Sequence, residues 1–356
     1  MHVDVLNRNG FSAYVLHQDE NFRYPWRPNN TPLAYFEYDF WGSTFREKIH
    51  LLRIKEKRVL GWEMLLKNTH IFTTNPDGLK KCLPKFCSED VIVIPDYLSY
   101  YFKPYFNDIP TVLLNFTAYF IYHSLTLKDV LQNSGRIDYH RGENILGSLV
   151  CSQDSQEYLK YSFQSLPVYV CQCCIDLEQF TYTPQKKKQI AFMPRKCEDH
   201  LVQILCMLKQ RGHLDNWNLV PLTGMPQEEL VQTLQDSAIY LSTSYQEGFG
   251  LPPAEAMACG AVVIGYHGEG GKEYIKAPYA YPIEHGNILA YVKKVEELAN
   301  LFETGPEDFI SIGKSASDYI HKTYPIQKEE NSIVESWKEL KEIFFQKESL
   351  KVPFCI

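Results

Sequence analysis

The sequence lacks a long basic run. Its 356 residues include 36 lysines and arginines against 43 acidic residues, a net charge of −7. Lys186, Lys187 and Lys188 form its most compact basic cluster. Binding driven by phosphate contacts needs far more positive surface, so nucleic acid is excluded as a partner and the cluster reads as a solvated loop. The chain also lacks a run of ~20 apolar residues able to span a bilayer. Its first ten residues carry Asp4, Asn7, Arg8 and Asn9, which no secretory leader would. The expectation is a cytoplasmic protein, with peripheral membrane association left open. Ten cysteines are present, but no pair of Cys-x-x-Cys knuckles, so no structural zinc site is expected. Reduced thiols are expected instead, with Cys171 and Cys173 acting as small hydrophobes in an apolar run. Internal repeats, low-complexity segments and Asp-x-Asp pairs are all missing.

What is present is an ordinary globular composition, 45% apolar and 22% charged, in a chain long enough for two domains. The C-terminal half alternates between strand and helix patterns. Strands are expected at Ile190–Met193, Trp217–Leu222, Ala238–Thr243 and Ala261–Gly265. Helices are expected at Glu198–Gln210, where Leu201, Ile204, Leu205 and Leu208 keep a helical period, and at Pro226–Leu234 and Pro252–Cys259. Such alternation implies an α/β fold with a parallel sheet and right-handed crossovers. The N-terminal half is less regular. Val91–Ile94, Thr111–Leu114 and Val168–Cys171 read as strands, and Ile145–Ser152 as a helix-to-strand region. The start reads as a helix, His2–Asn9, and then a strand, Ala13–His17. A Rossmann-like domain normally opens with a strand and a glycine-rich turn, so this domain is expected to lack its first strand.

The stretch that carries chemistry runs from Ser244 to Gly260. A buried strand delivers it to the carboxyl edge of a parallel sheet, where α/β proteins bind ligands. Gly248 and Gly250 permit unusual backbone angles and close approach. A proline at 252 or 253 suits a first helical turn, whose amides favour an anion such as a diphosphate. Glu255, expected in that first turn, is placed to accept hydrogen bonds from a ribose diol. Glu247, eight positions earlier, is placed to meet sugar hydroxyls.

The two glutamates, the Gly-Phe-Gly-Leu-Pro core, Glu-Ala-Met-Ala and the closing glycine together resemble the E-x7-E signature of retaining glycosyltransferases of the GT-B fold, glycosyltransferase family 4. The resemblance covers roughly residues 145 to 346 in element order. It implies two Rossmann-like domains facing a central cleft. These would be an acceptor-side domain at 1–176, a nucleotide-sugar domain at 184–325, and a helix at 326–346 crossing back to the first. It implies transfer of a sugar from a nucleoside diphosphate sugar to a glycan or lipid-linked acceptor, with no further cofactor and no metal. Glu247 would contact the transferred sugar and Glu255 the ribose. Gly248, Phe249, Gly250 and Leu251 would lie by the donor phosphates. Arg195 and Lys196 would bind the diphosphate, although the family's lysine usually comes some five residues after its arginine. The loop Gly268-Glu269-Gly270-Gly271, with Glu273 after it, resembles the family's glycine loop near the sugar.

Other readings remain beside this one. Arg195 can pair with Glu198 or Asp199 at a helix start. His123, His140 and His267 read as structural or loop histidines, and Thr111–Tyr122 as core with Asn115, Thr117 and Tyr119 at a strand end. A nucleotide-sugar epimerase, or a non-catalytic donor-binding or partner subunit, stands as the alternative function.

Overall fold

The structure is a computed structural model, and it describes residues 2–13, 15–17, 33–35, 90–96, 108–122, 125–132, 140–212 and 214–351. His123 lies outside them. Helix α1 (His2–Arg8) comes first, and its chain turns at Gly10 with φ +83. Strands β1 (Val15–His17) and β2 (Leu33–Tyr35) pair in parallel as a two-stranded sheet. The N-terminal domain then builds a parallel sheet in the order β3-β4-β5-β6. Its strands are β3 (Ile92–Pro95), β4 (Thr111–Asn115), β5 (Ile145–Val150) and β6 (Val168–Val170). A 3-10 helix (Ala118–Tyr122) and the short helix α2 (Leu127–Leu131) follow β4. The region expected as helix-to-strand is instead strand β5, buried at every residue, followed by helix α3 (Gln153–Ser162) with Ser152 as its N-cap. A strand buried on both faces reads as an unbroken apolar run, without the alternation that marks a half-exposed one.

The C-terminal domain is a five-stranded parallel sheet in the order β11-β10-β9-β7-β8. Along the chain come β7 (Lys187–Phe192), α4 (Glu198–Gln210), β8 (Asn218–Pro221), α5 (Gln227–Asp236) and β9 (Ser237–Glu247). Helix α6 (Leu251–Ala258), β10 (Val262–Glu269), a 3-10 turn (Gly270–Glu273) and β11 (Tyr281–Pro282) follow. Helices α7 (Ile288–Thr304) and α8 (Pro306–Thr323) complete it, and α9 (Ile326–Lys351) follows. Two apolar layers sandwich the sheet. Leu201, Ile204, Leu208, Val292, Val295 and Leu298 of α4 and α7 fill one. Ala254, Met257, Ala316 and Ile320 of α6 and α8 fill the other. Among the described residues no helix is long and apolar enough to cross a membrane.

The Lys186–Lys188 cluster is not a loop, which corrects the sequence expectation. Lys187 and Lys188 open strand β7 and pair with Asp236 and Glu303 at 2.8 and 2.7 Å. Lys186 is largely buried, donating to the carbonyls of Gln235 and Cys259 at 2.8 and 2.7 Å. It therefore sits at the carboxyl end of α6, where a cation complements the helix dipole. Burial lowers its pKa to about 8.

Helix α9 does not pack on the C-terminal sheet. Its Ile333, Leu340 and Phe344 join Val5, Leu6, Val112, Leu146 and Leu149 in one core on the N-terminal sheet. Each such side chain contributes about 1.5–3 kcal/mol over leaving it in water. Cys171 is buried in the same core, and burial pushes its thiol up to about 12.

A candidate donor site at the facing sheet edges

Strand order decides where a ligand can bind. From β7 the chain passes outward to β8 and then returns to β9 on the other side of β7. The crossovers leaving β7 and β9 therefore run to opposite sides, which opens a crevice at the carboxyl ends of these two strands. The loop after β7 carries Arg195 and Lys196, and β9 ends at Glu247. The buried strand continues four residues beyond the expected Thr243, so Glu247 ends the strand and is paired in register with Glu269 of β10.

Each of these paired carboxylates has a lysine. Lys196 Nζ lies 2.9 Å from Glu247 Oε1 and donates to the Tyr245 carbonyl at 3.2 Å. The Lys196 carbonyl accepts from Thr243 Oγ1 at 3.0 Å, which fixes the loop. Lys272 pairs with Glu269 and reaches Asp154 Oδ1 at 3.3 Å. Arg195 is exposed, and among the described residues it pairs with no carboxylate, neither Glu198 nor Asp199. The charges of Glu255, Arg195 and Glu247 all act on the fully buried Tyr240 hydroxyl, whose pKa is raised chiefly by burial.

Glu255 lies in the second turn of α6, not the first. The helix starts at Leu251, and its first turn holds no acidic residue. The residue is half-buried, and burial raises the pKa of its carboxyl from 4.5 to about 7. The two prolines also change the expected anion site. Pro252 and Pro253 have no N–H. Leu251 therefore supplies the remaining amide of the first helical residues. Gly250, the N-cap at φ +85, turns the chain there, and Tyr274 Oη donates to the carbonyls of Phe249 (3.0 Å) and Gly250. Phe249 itself is core, packed edge-on to Tyr324 at 5.2 Å and beside Tyr274 at 5.1 Å. Its side chain is buried, whereas that of Leu251 is exposed.

The glycines serve the domain interface. A Cβ on Gly248 would stand 1.7 Å from the Phe116 carbonyl oxygen and 2.7 Å from Cys151 Sγ, both in the N-terminal domain. A Cβ on Gly270 would meet the Gly248 carbonyl oxygen at 2.0 Å. Gly270 and Gly271 are buried in the 3-10 turn, which faces α3. There Glu273 Oε1 accepts from the Gln153 amide at 2.6 Å, at the start of α3. Thr117 Oγ1 donates to the Gln246 carbonyl at 3.2 Å, and Lys196 stands 6.0 Å from the Phe120 ring. The carboxyl edges of the two sheets therefore face one another.

Sequence reasoning missed Asp154 and Lys272, and named Glu269 only as part of the glycine loop. Tyr119 donates to Asp154 at 2.7 Å, and the chain of contacts Tyr119–Asp154–Lys272–Glu269 spans both domains. No local pattern announces it. A weak signal existed in the backbone: Gln246 and Glu269 are non-glycine residues at positive φ, as is Cys197 beside Lys196, all at this sheet edge. Such strain clusters at functional sites. His140 is buried and stacked on Phe163 at 4.6 Å, with burial lowering its pKa to about 4. His267 Nδ1 accepts from the Glu269 amide at 3.0 Å and so braces the strand end. Asn115 is buried and donates to Asp96 Oδ2.

Two α/β domains with parallel sheets and facing carboxyl edges define the GT-B fold. Comparison with known proteins agrees with this. Residues 203–314 match the family described as glycosyl transferases group 1. The chain is similar to an alpha-1,6-glucosyltransferase of Actinobacillus pleuropneumoniae, 24% identical over 194 residues. That match takes in 52% of this chain and 54% of the relative, so the chain spans about half the length of that protein. In structure it resembles sucrose-phosphate synthase of Thermosynechococcus elongatus (TM-score 0.64, 14% identity, 96% of this chain and 92% of the other). It also resembles Anabaena HepE in complex with UDP and glucose (TM-score 0.56, 12% identity, 87% of each chain).

Proposed function

We propose that this chain is a retaining glycosyltransferase that moves a glucosyl unit from UDP-glucose to a glycan acceptor. The observation that carries the reading is the pairing of Lys196, in the loop after β7 that also carries Arg195, with Glu247 at the end of β9, at the crevice between these two strands. The glucosyltransferase relative and the HepE complex with UDP and glucose support the choice of base and sugar.

In this reading the diphosphate lies against Arg195, Lys196 and the Leu251 amide. Negative charge grows on the leaving diphosphate as the glycosidic bond breaks, and fixed positive charge stabilises that state more than the ground state. The sequence holds no Asp-x-Asp pair, so the reading gives this task to the side chains and the helix start. Glu255 accepts the ribose hydroxyls. Glu247, held by Lys196 at 2.9 Å in the free protein, turns to the sugar hydroxyls once the diphosphate draws Lys196 away. The acceptor enters from the side of Tyr119 and Asp154. Retention follows if leaving group and acceptor use the same face of the sugar.

The test is a thermal-shift screen of the full chain with UDP-, GDP- and ADP-sugars, then NMR of the product's anomeric configuration. Ligand binding to the folded state alone raises apparent stability. Stabilisation by UDP-glucose and an α-linked product are expected. An inverted product refutes retention. Conversion of the donor to another sugar nucleotide without acceptor would make the chain an epimerase.

A further inference from the structure

A second constellation stands beside the Arg195–Lys196 loop and plays no part in the chemistry above. Cys197 Sγ, one ring nitrogen of His200 and one of His285 all lie within 4.8 Å of one another. They come from two segments. Cys197 precedes α4 with its backbone at φ 45, His200 lies in the first turn of that helix, and His285 lies between β11 and α7. The His200 and His285 ring centroids are 5.2 Å apart. Tyr266 packs against both, at 5.7 and 4.8 Å, and Tyr245 covers His285 at 4.9 Å. His200 Nδ1 is buried with no hydrogen-bond partner among the described residues, while its Nε2 lies 3.8 Å from Asp199 Oδ2. An imidazole with one nitrogen toward a carboxylate and the other unsatisfied is how metal-ligating histidines are oriented. His285 is exposed, which opens a path from solvent.

We propose that Cys197, His200 and His285 bind one Zn²⁺ ion, with a water molecule in the fourth position. One thiolate and two imidazoles suit zinc's preference for nitrogen and sulfur in tetrahedral geometry. Bond lengths of ~2.3 Å to sulfur and ~2.0–2.1 Å to nitrogen require the three donor atoms to draw in by about 1 Å from their widest separation. The exposed His285 loop can supply that movement. Binding releases the Cys197 thiol proton to solvent. The ion would pin the loop carrying Arg195 and Lys196 to the chain ahead of α7, fixing their position at the sheet edge. Zinc-knuckle spacing misses such a site, because a Cys-x-x-His pair is completed by a histidine 85 positions further on.

The test uses the purified full chain, reduced and stripped of metal, titrated with Co²⁺ and then Zn²⁺. The expected result is a thiolate-to-cobalt charge-transfer band with intense tetrahedral visible bands, saturating at one equivalent and bleached by one equivalent of Zn²⁺. Cys197→Ser should abolish the charge-transfer band. His285→Ala should weaken binding by at least the ~10–100-fold that losing an outer-shell partner costs. Cys206→Ser, an exposed thiol on the same helix, should change nothing. The proposal is overturned if no band forms, or if the band survives Cys197→Ser. It is also overturned if the band falls with Cys173→Ser, which would assign the metal to the cysteines at 171–174. These readouts do not depend on sugar transfer, so their failure leaves the proposed activity standing, and the reverse also holds.

Discussion

Glu255 offers the sharpest test of the site, because it is half-buried and burial alone shifts its carboxyl. Burial raises its pKa from 4.5 to about 7. The folded protein therefore keeps this proton across a pH range in which the unfolded chain has already released it. Stability from this group is full below about pH 4.5, declines as pH rises toward 7, and stays lower above that. At 1.36 kcal/mol per unit, the decline amounts to about 3 kcal/mol. Glu255→Gln removes the titration. The stability of the variant relative to the parent should rise by about 3 kcal/mol between pH 4.5 and pH 8, whatever the fixed effect of the amide. Denaturant unfolding at several pH values measures this directly. The same ionisation governs the proposed ribose contact. Raising pH from 6 to 8 takes the carboxylate fraction from about one tenth to about nine tenths. UDP-glucose affinity should therefore strengthen up to about tenfold over that range in the parent and stay flat in Glu255→Gln. A stability difference constant with pH refutes the raised pKa of the carboxyl, and a parent affinity indifferent to pH refutes its ribose role.

Three other perturbations probe separate parts of the arrangement. Glu247→Gln should lower kcat for transfer by at least about 100-fold. Its effect on stability should stay within about 1 kcal/mol, since the Lys196 pair is only partly buried, and turnover near the parental rate would remove Glu247 from the chemistry. Arg195→Ala should weaken UDP-glucose binding with little change in melting temperature, because among the described residues this guanidinium has no partner to lose; calorimetric titration gives the answer. Gly248→Ala should destabilise the protein by about 1–3 kcal/mol through overpacking against the Phe116 carbonyl and Cys151, with a domain arrangement more open by small-angle scattering, and an unchanged scattering profile would show that the interface gives way elsewhere.

What could be read from the sequence follows the range of the forces involved. Helix α4 matches its expected bounds, Glu198–Gln210, because Leu201, Ile204 and Leu208 face one apolar layer with a helical period. Strands β9 and β10 were legible as apolar runs, though their ends were not. The extension of β9 to Glu247 depends on pairing with Glu269 of β10. Helix α8 is held to α6 by close contacts that no periodicity announces: a Cβ on Gly313 would stand 2.3 Å from the Gly260 carbonyl oxygen, and Ser317 donates to the Ala258 carbonyl at 2.7 Å. The candidate site divides in the same way. The spacing of Glu247 and Glu255 is local and was visible. The contacts of Gly248 with Phe116, Glu273 with Gln153 and Lys272 with Asp154 join residues more than a hundred positions apart, and no local pattern encodes them.

The placement of α9 has a consequence for biogenesis. The apolar face of the first domain that receives Ile333, Leu340 and Phe344 cannot be covered until those residues have left the ribosome. During synthesis the earlier half must wait, half-dressed, while the later half folds on contacts of its own, and chaperones have an obvious patch to hold. Damage to α9 should therefore register first as unfolding of the half made earliest.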